Sequence, residues 1–545
     1  MKLLNKQNRA LTLVAIVQTA IVLIATSGPA GVSAESASDR VSAPTATLPN
    51  LGDGTDMTPS AERSLGDRIA RELYRDPDYV DDPILVEFVQ GIWQPLLAAA
   101  RQRGELTPEL DSTYAWEVIL ARDRTVNAFA LPGAYLGLHL GLVGVVTSRD
   151  ELASVLAHEL SHVTQRHIAR MMTRQSQQAP WMLGAMILGV LAAGKSPNAA
   201  NAMIVGGQAV GAQSQLNFSR DMEREADRVG FGVSTQAGFA PQGFVSMFAK
   251  LQQASRLNDA GNFPYLRSHP LSTERMADMQ SRIDLPTGDA PIQASARHNE
   301  QEFDQAMMAA RARVLSNSAV DALRTWALEA DPPVLRRQTQ AQQAATLYGA
   351  TLAAIKLRDY PQAQAMWVRL NDSVRKDAAA ARLARLLGVE LMLATDDSEQ
   401  AIKLLNSGEG GQDAGGRVEL FFAAQAQLKL STPAAGATPS PKAATALAAT
   451  AQRLQTWVAD HPRDAQAWQL LSSTYAAQGR TLSAIRAQAE ISVAQLDYPA
   501  ALARFKTAQE WARKEGSRTD HYEASIVDTR TRKIESLVRE QALER

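Results

Sequence analysis

Cysteine is absent from the 545 residues. Disulfide scaffolds, thiolate nucleophiles and Cys-ligated zinc or iron–sulfur sites are therefore excluded. Any metal must be gripped by histidine and carboxylate, and the chain has only 8 histidines to supply. Aromatic residues are scarce at 6%, which favours helices packed through Ala and Leu over a β-sandwich core. Neither sign of charge prevails, since 56 Lys and Arg meet 57 Asp and Glu. No global attraction to nucleic acid or acidic lipid is expected from such a balance. Uninterrupted apolar runs approaching the ~20 residues of a spanning helix are missing too. Leu11–Ala25 is broken by Gln18 and Thr19, and Trp181–Ala193 contains Gly184 and Gly189. The remainder is ordinary: 45% hydrophobic and 21% charged residues are globular usage, not that of a disordered or collagen-like chain. At roughly 100–200 residues per domain the length predicts about three domains.

Lys2, Lys6 and Arg9 precede the Leu11–Ala25 run, and small residues follow to Val32-Ser33-Ala34. This order is that of a secretory signal over residues 1–34, cleaved after Ala34. A periplasmic location is the expectation, and with no cysteine after the run the lipoprotein route is closed.

Residues 35–60, rich in Ser, Pro, Thr and Gly, read as a linker. From 61 to 285 the pattern is mixed. Tyr114, Trp116, Val118 and Leu120 alternate as a strand would, Asp123-Arg124 turns into Val126–Ala130, and Tyr135–Leu142 can return beside it. Ser148 followed by Glu151 predicts a capping box opening an amphipathic helix through Leu152, Val155, Leu156, Leu160 and Val163. After a linker at 286–300, residues 301–545 are Ala-rich and helix-forming. Asp464 to Gly479, with Trp468, Leu471 and Tyr475, matches the first helix and turn of a tetratricopeptide repeat, and His461-Pro462 stops the helix before it. Asp359-Tyr360-Pro361 and Asp497-Tyr498-Pro499 echo one another; Gly408–Gly416 and Thr432–Ala444 interrupt the array. A plain helical bundle is the simpler alternative.

The chemistry lies in His158-Glu159-Leu160-Ser161-His162. Residues i and i+4 of a helix share a face, so both imidazoles can reach one tetrahedral zinc while Glu159 stands beside them as a base. A third ligand is needed. The metzincin pattern would put Gly at 165 and His at 168, but Gln165 and Ile168 stand there, so a carboxylate from a second helix is the remaining option. Glu223 and Asp227 are again i and i+4: Glu223 can bind the metal while Asp227 hydrogen-bonds a ligand histidine. Glu225 competes for the ligand role by composition. His139 and His167 fit no ligand spacing and read as structural. The alternative to all of this is a solvated helix carrying these residues by accident.

His158-Glu159-x-x-His162, Glu223-x-x-Ala226-Asp227, Asn127-Ala128-Phe129-Ala130-Leu131-Pro132-Gly133 and His269-Pro270-Leu271-Ser272-Thr273-Glu274-Arg275 together resemble the M48 family of zinc metallopeptidases over about residues 61–285. The resemblance implies an α+β zincin-like metalloprotease domain, mostly helical with a small sheet, followed by an all-α tetratricopeptide-like solenoid. It implies one Zn2+ per chain held by His158, His162 and Glu223, with Glu159 as general base and Asp227 behind the ligands. Asn127, Ala128, Phe129 and Ala130 would border the cleft and pair with an extended substrate. His269 would be a fourth ligand that holds the enzyme latent. Arg275 would support the site electrostatically. Ala134 departs from the family, whose members commonly repeat glycine after Pro-Gly. The implied partners are misfolded or stalled outer-membrane proteins and the barrel-assembly machinery, with peripheral membrane contact and no nucleic acid. Trp181–Ala193 reads as a buried, interfacial or lid-like helix. A chaperone-like assembly adaptor with secondary or latent cleavage is the competing function, and a membrane-embedded processing peptidase a third.

Overall fold

The computed structural model describes residues 57–174, 220–256, 263–284, 293–407, 416–431, 440–516 and 520–543. The secretory segment, most of the 35–60 linker and Trp181–Ala193 lie outside them. Residues Thr55–Arg545 pack as one unit.

A four-stranded sheet runs in the order β1-β2-β4-β3: β1 Tyr79–Val80, β2 Glu117–Ala121, β3 Ala128–Leu131 and β4 Tyr135–His139. β2 and β4 are parallel, while β3 lies antiparallel on β4 with Phe129 opposite Gly137. That leaves β3 as an edge. β2 begins later than the alternation from Tyr114 predicts. Trp116 adopts φ 52°, its carbonyl accepts from the Trp93 indole at 3.1 Å, and the Tyr114 hydroxyl is drawn to Glu62 at 2.5 Å. β4 likewise stops at His139, three residues short of Leu142. Gly141 there sits so close to the chain that a Cβ would lie 2.2 Å from the Arg124 carbonyl oxygen, and its N–H donates to Asp123 O at 2.8 Å. The chain turns into a short helix instead. At the β3–β4 turn, Gly133 and Ala134 have φ 71° and 62°. Ala134 thus holds a left-handed conformation that suits glycine, at a cost of about 1–2 kcal/mol.

Ten helices surround this sheet among the described residues up to 284: α1 Pro59–Arg75, α2 Pro83–Gln102, α3 Pro108–Thr113, α4 Leu140–Val145, α5 Arg149–Thr164, α6 His167–Arg174, α7 Arg220–Gln236, α8 Gln242–Arg256, α9 Tyr265–Ser268 and α10 Thr273–Asp284. α2 is long and apolar enough to cross a membrane by composition. Its Ile84, Leu85, Ile92, Trp93 and Leu96 are instead buried in the main core, and Asp82 caps it through Leu85 N at 3.0 Å. α5 is central. Every side chain from Asp150 to Thr164 is buried, so the expected amphipathic helix is an interior one. Its capping box is half-formed: Ser148 Oγ accepts from Glu151 N at 3.2 Å, but the Glu151 carboxylate turns to Thr147 N and to Lys250, each at 2.6 Å. Lys250 supplies a full charge, which outbids a backbone donor.

Helix α7 crosses α5 at Gly230, where a Cβ would stand 3.0 Å from Ala157 O and 3.1 Å from His158 N. Glu223 and Asp227, seven and three residues before it, share that face and are carried over His158.

Beyond residue 293 the described chain is helical, in consecutive packed helices from Gln293–Ser316 to His521–Leu543. The first begins within the stretch read as a linker. Trp468, Leu471 and Tyr475 pack inward on Ala465–Ala477. The Asp-Tyr-Pro echoes mark one recurring device: Arg358 and Leu496 have φ 61°, and the aspartate that follows caps the next helix, each at 3.2 Å. Arginines tie these helices to the sheet. Arg463 reaches Glu117 at 2.6 Å, Arg417 reaches Asp81 at 2.9 Å, and the buried Arg311 holds Asp82 and Glu390 at 2.6 and 2.9 Å.

Candidate metal centre

Three segments converge. α5 supplies His158, Glu159 and His162, α7 supplies Glu223 and Asp227, and the residue after α9 is His269; all are buried. One donor atom from each of His158, His162, Glu223 and His269 lies within 4.8 Å of the others. His158 Nε2 stands 3.0 Å from His162 Nε2 and 3.5 Å from Glu223 Oε2. His162 Nε2 is 3.4 Å from Glu223 Oε1. His269 Nδ1 completes the group at 3.3 Å from His158 Nε2 and 3.1 Å from Glu223 Oε1.

Those distances test whether zinc suits the site. With Zn–N of ~2.0–2.1 Å, tetrahedral ligands stand roughly 3.3–3.4 Å apart, and the observed separations bracket that value. The charges agree. Burial and the neighbouring His158 hold the His162 ring well below its ordinary value, so it is neutral and presents a lone pair. Burial works downward on His158 as well, but Asp227 and Glu223 outweigh it and push it up to about 9. Glu223 is held well below the carboxylate range, the cost of burial being overcome by His269 and His158. At neutral pH His158 is therefore protonated in the ion-free centre, carrying the positive charge that Glu223 and Asp227 draw to this spot, and a bound cation would take that proton's place.

Asp227 Oδ1 lies 2.9 Å from His158 Nδ1, which fixes the ring with Nε2 toward the donors. Arg275, at the start of α10, holds Asp227 through Nε and Nη2 at 2.6 and 2.7 Å. Its Nη1 lies 2.8 Å from both Pro270 O and Glu223 Oε2. A single guanidinium thus ties both carboxylates of α7 to the segment bearing His269. Sequence spacing gave Arg275 no defined role; this contact set is its role.

Glu159 bridges the centre and the sheet. Its Oε2 accepts from Ala130 N on the edge strand at 2.9 Å. Its Oε1 is buried without a hydrogen bond, 3.4 Å from His269 Nε2. Burial raises this carboxyl above its ordinary value against the pull of His269 and His158, the direction expected of a base poised for proton transfer. Of the edge residues named from sequence, Ala128, Phe129 and Ala130 are in β3, while Asn127 precedes it with its carbonyl accepting from His139 N at 3.1 Å. His139 is structural, its Nδ1 2.9 Å from Thr125 Oγ1. Glu225 lies outside the donor group. It meets His167, whose Nδ1 is 2.9 Å from His162 Nδ1, a contact that ligand spacing missed.

Residues 100–283 match the family model described as Peptidase family M48. That segment carries the whole donor group. Enzymes of that family use zinc, and the matched segment brings His158, His162, Glu223 and His269 within reach of one ion. The chain is 30% identical over 327 residues to the beta-barrel assembly-enhancing protease of Escherichia coli, which is 58% of this chain and 61% of that protein. It is 33% identical over 237 residues to the protein of that name from Yersinia pestis, covering 43% and 47% of the two chains. With the mitochondrial metalloendopeptidase OMA1 of Saccharomyces cerevisiae it shares 27% identity over 196 residues, covering 35% and 54%. The chain therefore spans about three fifths of the E. coli relative's length.

Proposed function

We propose that the protein is a zinc endopeptidase of the bacterial envelope. The observation that carries this reading is the convergence of His158, His162 and Glu223 beside a buried Glu159 whose other oxygen is bonded to an edge strand. His158, His162 and Glu223 would hold the zinc. A zinc ion held there would supply Lewis acidity to a water and to the scissile carbonyl near neutral pH. Glu159 takes the water's proton on Oε1, the oxygen left without a hydrogen bond, and delivers it to the departing amine. Asp227 keeps His158 in its binding tautomer. The substrate lies extended along β3, recognised through its main chain, so side-chain preference is loose.

His269 occupies the space that water and substrate carbonyl require, between the donors and Glu159. We read it as a latch that keeps the resting enzyme latent until it withdraws. Residues 61–285 then serve as the peptidase domain and 301–545 as a tetratricopeptide-like array that presents clients to it, joined through 286–300. Export by the 1–34 signal, cleaved after Ala34, would deliver the protein to the periplasm. The relatives' name points to unfolded or stalled outer-membrane proteins as clients and to the barrel-assembly machinery as a neighbour. A second reading, an assembly adaptor with latent cleavage, is favoured by the position of His269.

Zinc content and cleavage of an unfolded protein such as casein, with and without chelator, test the proposal. Glu159→Gln should retain zinc and the fold but lose at least 100-fold in kcat, since general-base assistance contributes about 10²–10⁴. Parent-level cleavage by that variant would remove Glu159 from the mechanism.

A further inference from the structure

The two ligand histidines of α5 are oriented by different devices. His158 leans on a carboxylate directly, through Asp227. His162 leans on another imidazole: its Nδ1 is 2.9 Å from His167 Nδ1. His167 is fully buried, and its Nε2 lies 3.1 Å from Glu225 Oε2, which also accepts from Arg170 Nη1 at 2.9 Å. Proton bookkeeping along this row has one solution with neutral rings. An ionised Glu225 only accepts, so His167 Nε2 donates to it and His167 Nδ1 is left with a lone pair. His162 Nδ1 must then donate, and His162 Nε2 presents its lone pair to the metal donors.

Helical geometry does not give this contact for nothing. A residue five positions on is rotated about 140° around a continuous helix, away from the face of His162. The chain instead breaks at Arg166, which has φ 52°, between the last residue of α5 and the first of α6. A left-handed conformation is unfavourable for a non-glycine residue and persists only where the surroundings hold it. Here the Arg166 guanidinium is bonded to the Met57 carbonyl and lies 3.5 Å from Glu62. The strained residue is the one that swings His167 onto His162.

We propose that His167, backed by Glu225, is a positioning residue for the metal centre, locking His162 in the tautomer and orientation that aim Nε2 at the ion. This deepens the zinc reading and rests on it. It differs from a ligand role, since neither His167 nitrogen faces the donor group.

The test is the zinc dissociation constant of the full chain, measured by competition with a chromophoric chelator, together with the absorption spectrum of the cobalt-substituted protein. His167→Leu removes the acceptor and should weaken zinc about 10–100-fold and alter the cobalt bands. His167→Asn places an oxygen where Nδ1 stands and should recover most of that loss, which a purely steric role would not. Glu225→Leu, at the half-exposed end of the row, spares the buried packing and should weaken zinc by a smaller factor if His167→Leu fails to fold. Parent zinc affinity and an unchanged cobalt spectrum in Glu225→Leu and in any folded His167→Leu would overturn the inference. A parent chain that binds no zinc would instead overturn the proposed function.

Discussion

Replacing Arg275 with Gln asks how much of the centre depends on one guanidinium. Four contacts are lost or weakened: two to Asp227 at 2.6 and 2.7 Å, one to Glu223 at 2.8 Å and one to Pro270 O at 2.8 Å. Both carboxylates are buried and would remain, facing each other without their shared cation. Removing one partner from a buried ion pair costs about 3–5 kcal/mol. At about 2.1 cal/mol/K of unfolding entropy per residue, a unit as long as Thr55–Arg545 shifts its Tm by only about 1 °C per kcal/mol, so the zinc-free protein should melt roughly 3–5 °C lower. Zinc supplies positive charge to the same carboxylates, so the deficit should shrink when the metal is bound. The Pro270 tether would also be lost, loosening the segment that carries His269. The assay is thermal unfolding of parent and variant, each stripped of metal and reloaded. A zinc-free Tm within 2 °C of the parent, or a deficit as large with zinc as without, would refute the view that Arg275 offsets the charge of Glu223 and Asp227.

Gly230→Ala should push α7 away from α5, because its Cβ would stand 3.0 Å from Ala157 O. Overpacking of this kind costs about 1–3 kcal/mol, and displacement of Glu223 should weaken zinc in chelator competition more than it lowers zinc-free stability; unchanged affinity would uncouple the crossing from the site. Arg311→Met should strand Asp82, destabilising the folded unit by about 3–5 kcal/mol at pH 7 in denaturant titration. In the parent, burial raises the Asp82 carboxyl but Arg311 outweighs it and holds it below its ordinary value, so its contribution is intact above about pH 4 and lost only below. Without Arg311, burial is opposed only by the Leu85 N–H and by Lys356, so the carboxyl should rise and protonation should restore stability as pH falls from 7 to 5. The gap between parent and variant should therefore narrow on acidification, and a gap independent of pH would exclude Asp82 as its source.

The centre was legible because its residues repeat at helical spacing. His158 and His162, then Glu223 and Asp227, each lie one turn apart, and the two pairs face one another across the α5–α7 contact. The recurring Asp-Tyr-Pro was legible as a repeated segment, though its role as a helix cap came only with the structure. What escaped was set by contacts distant in sequence. Arg275 gathers atoms from residues 223, 227 and 270, and the Arg463–Glu117 pair joins residues more than half the chain apart, so neither leaves a period to read. β4 ended early because Gly141 meets Arg124, a close approach that hydrophobic alternation does not encode. His167 escaped for the opposite reason: ligand spacing assumes a continuous helix, and the backbone turns at Arg166.

The free margin of the sheet is shorter than four residues suggest. On β3 the odd residues bond inward to β4, so the outward row belongs to Val126, Ala128 and Ala130. Val126 O already accepts from Tyr265 N at 3.3 Å, and Ala130 N is taken by Glu159. Plugged at either end, this border offers little purchase for accidental pairing with another copy.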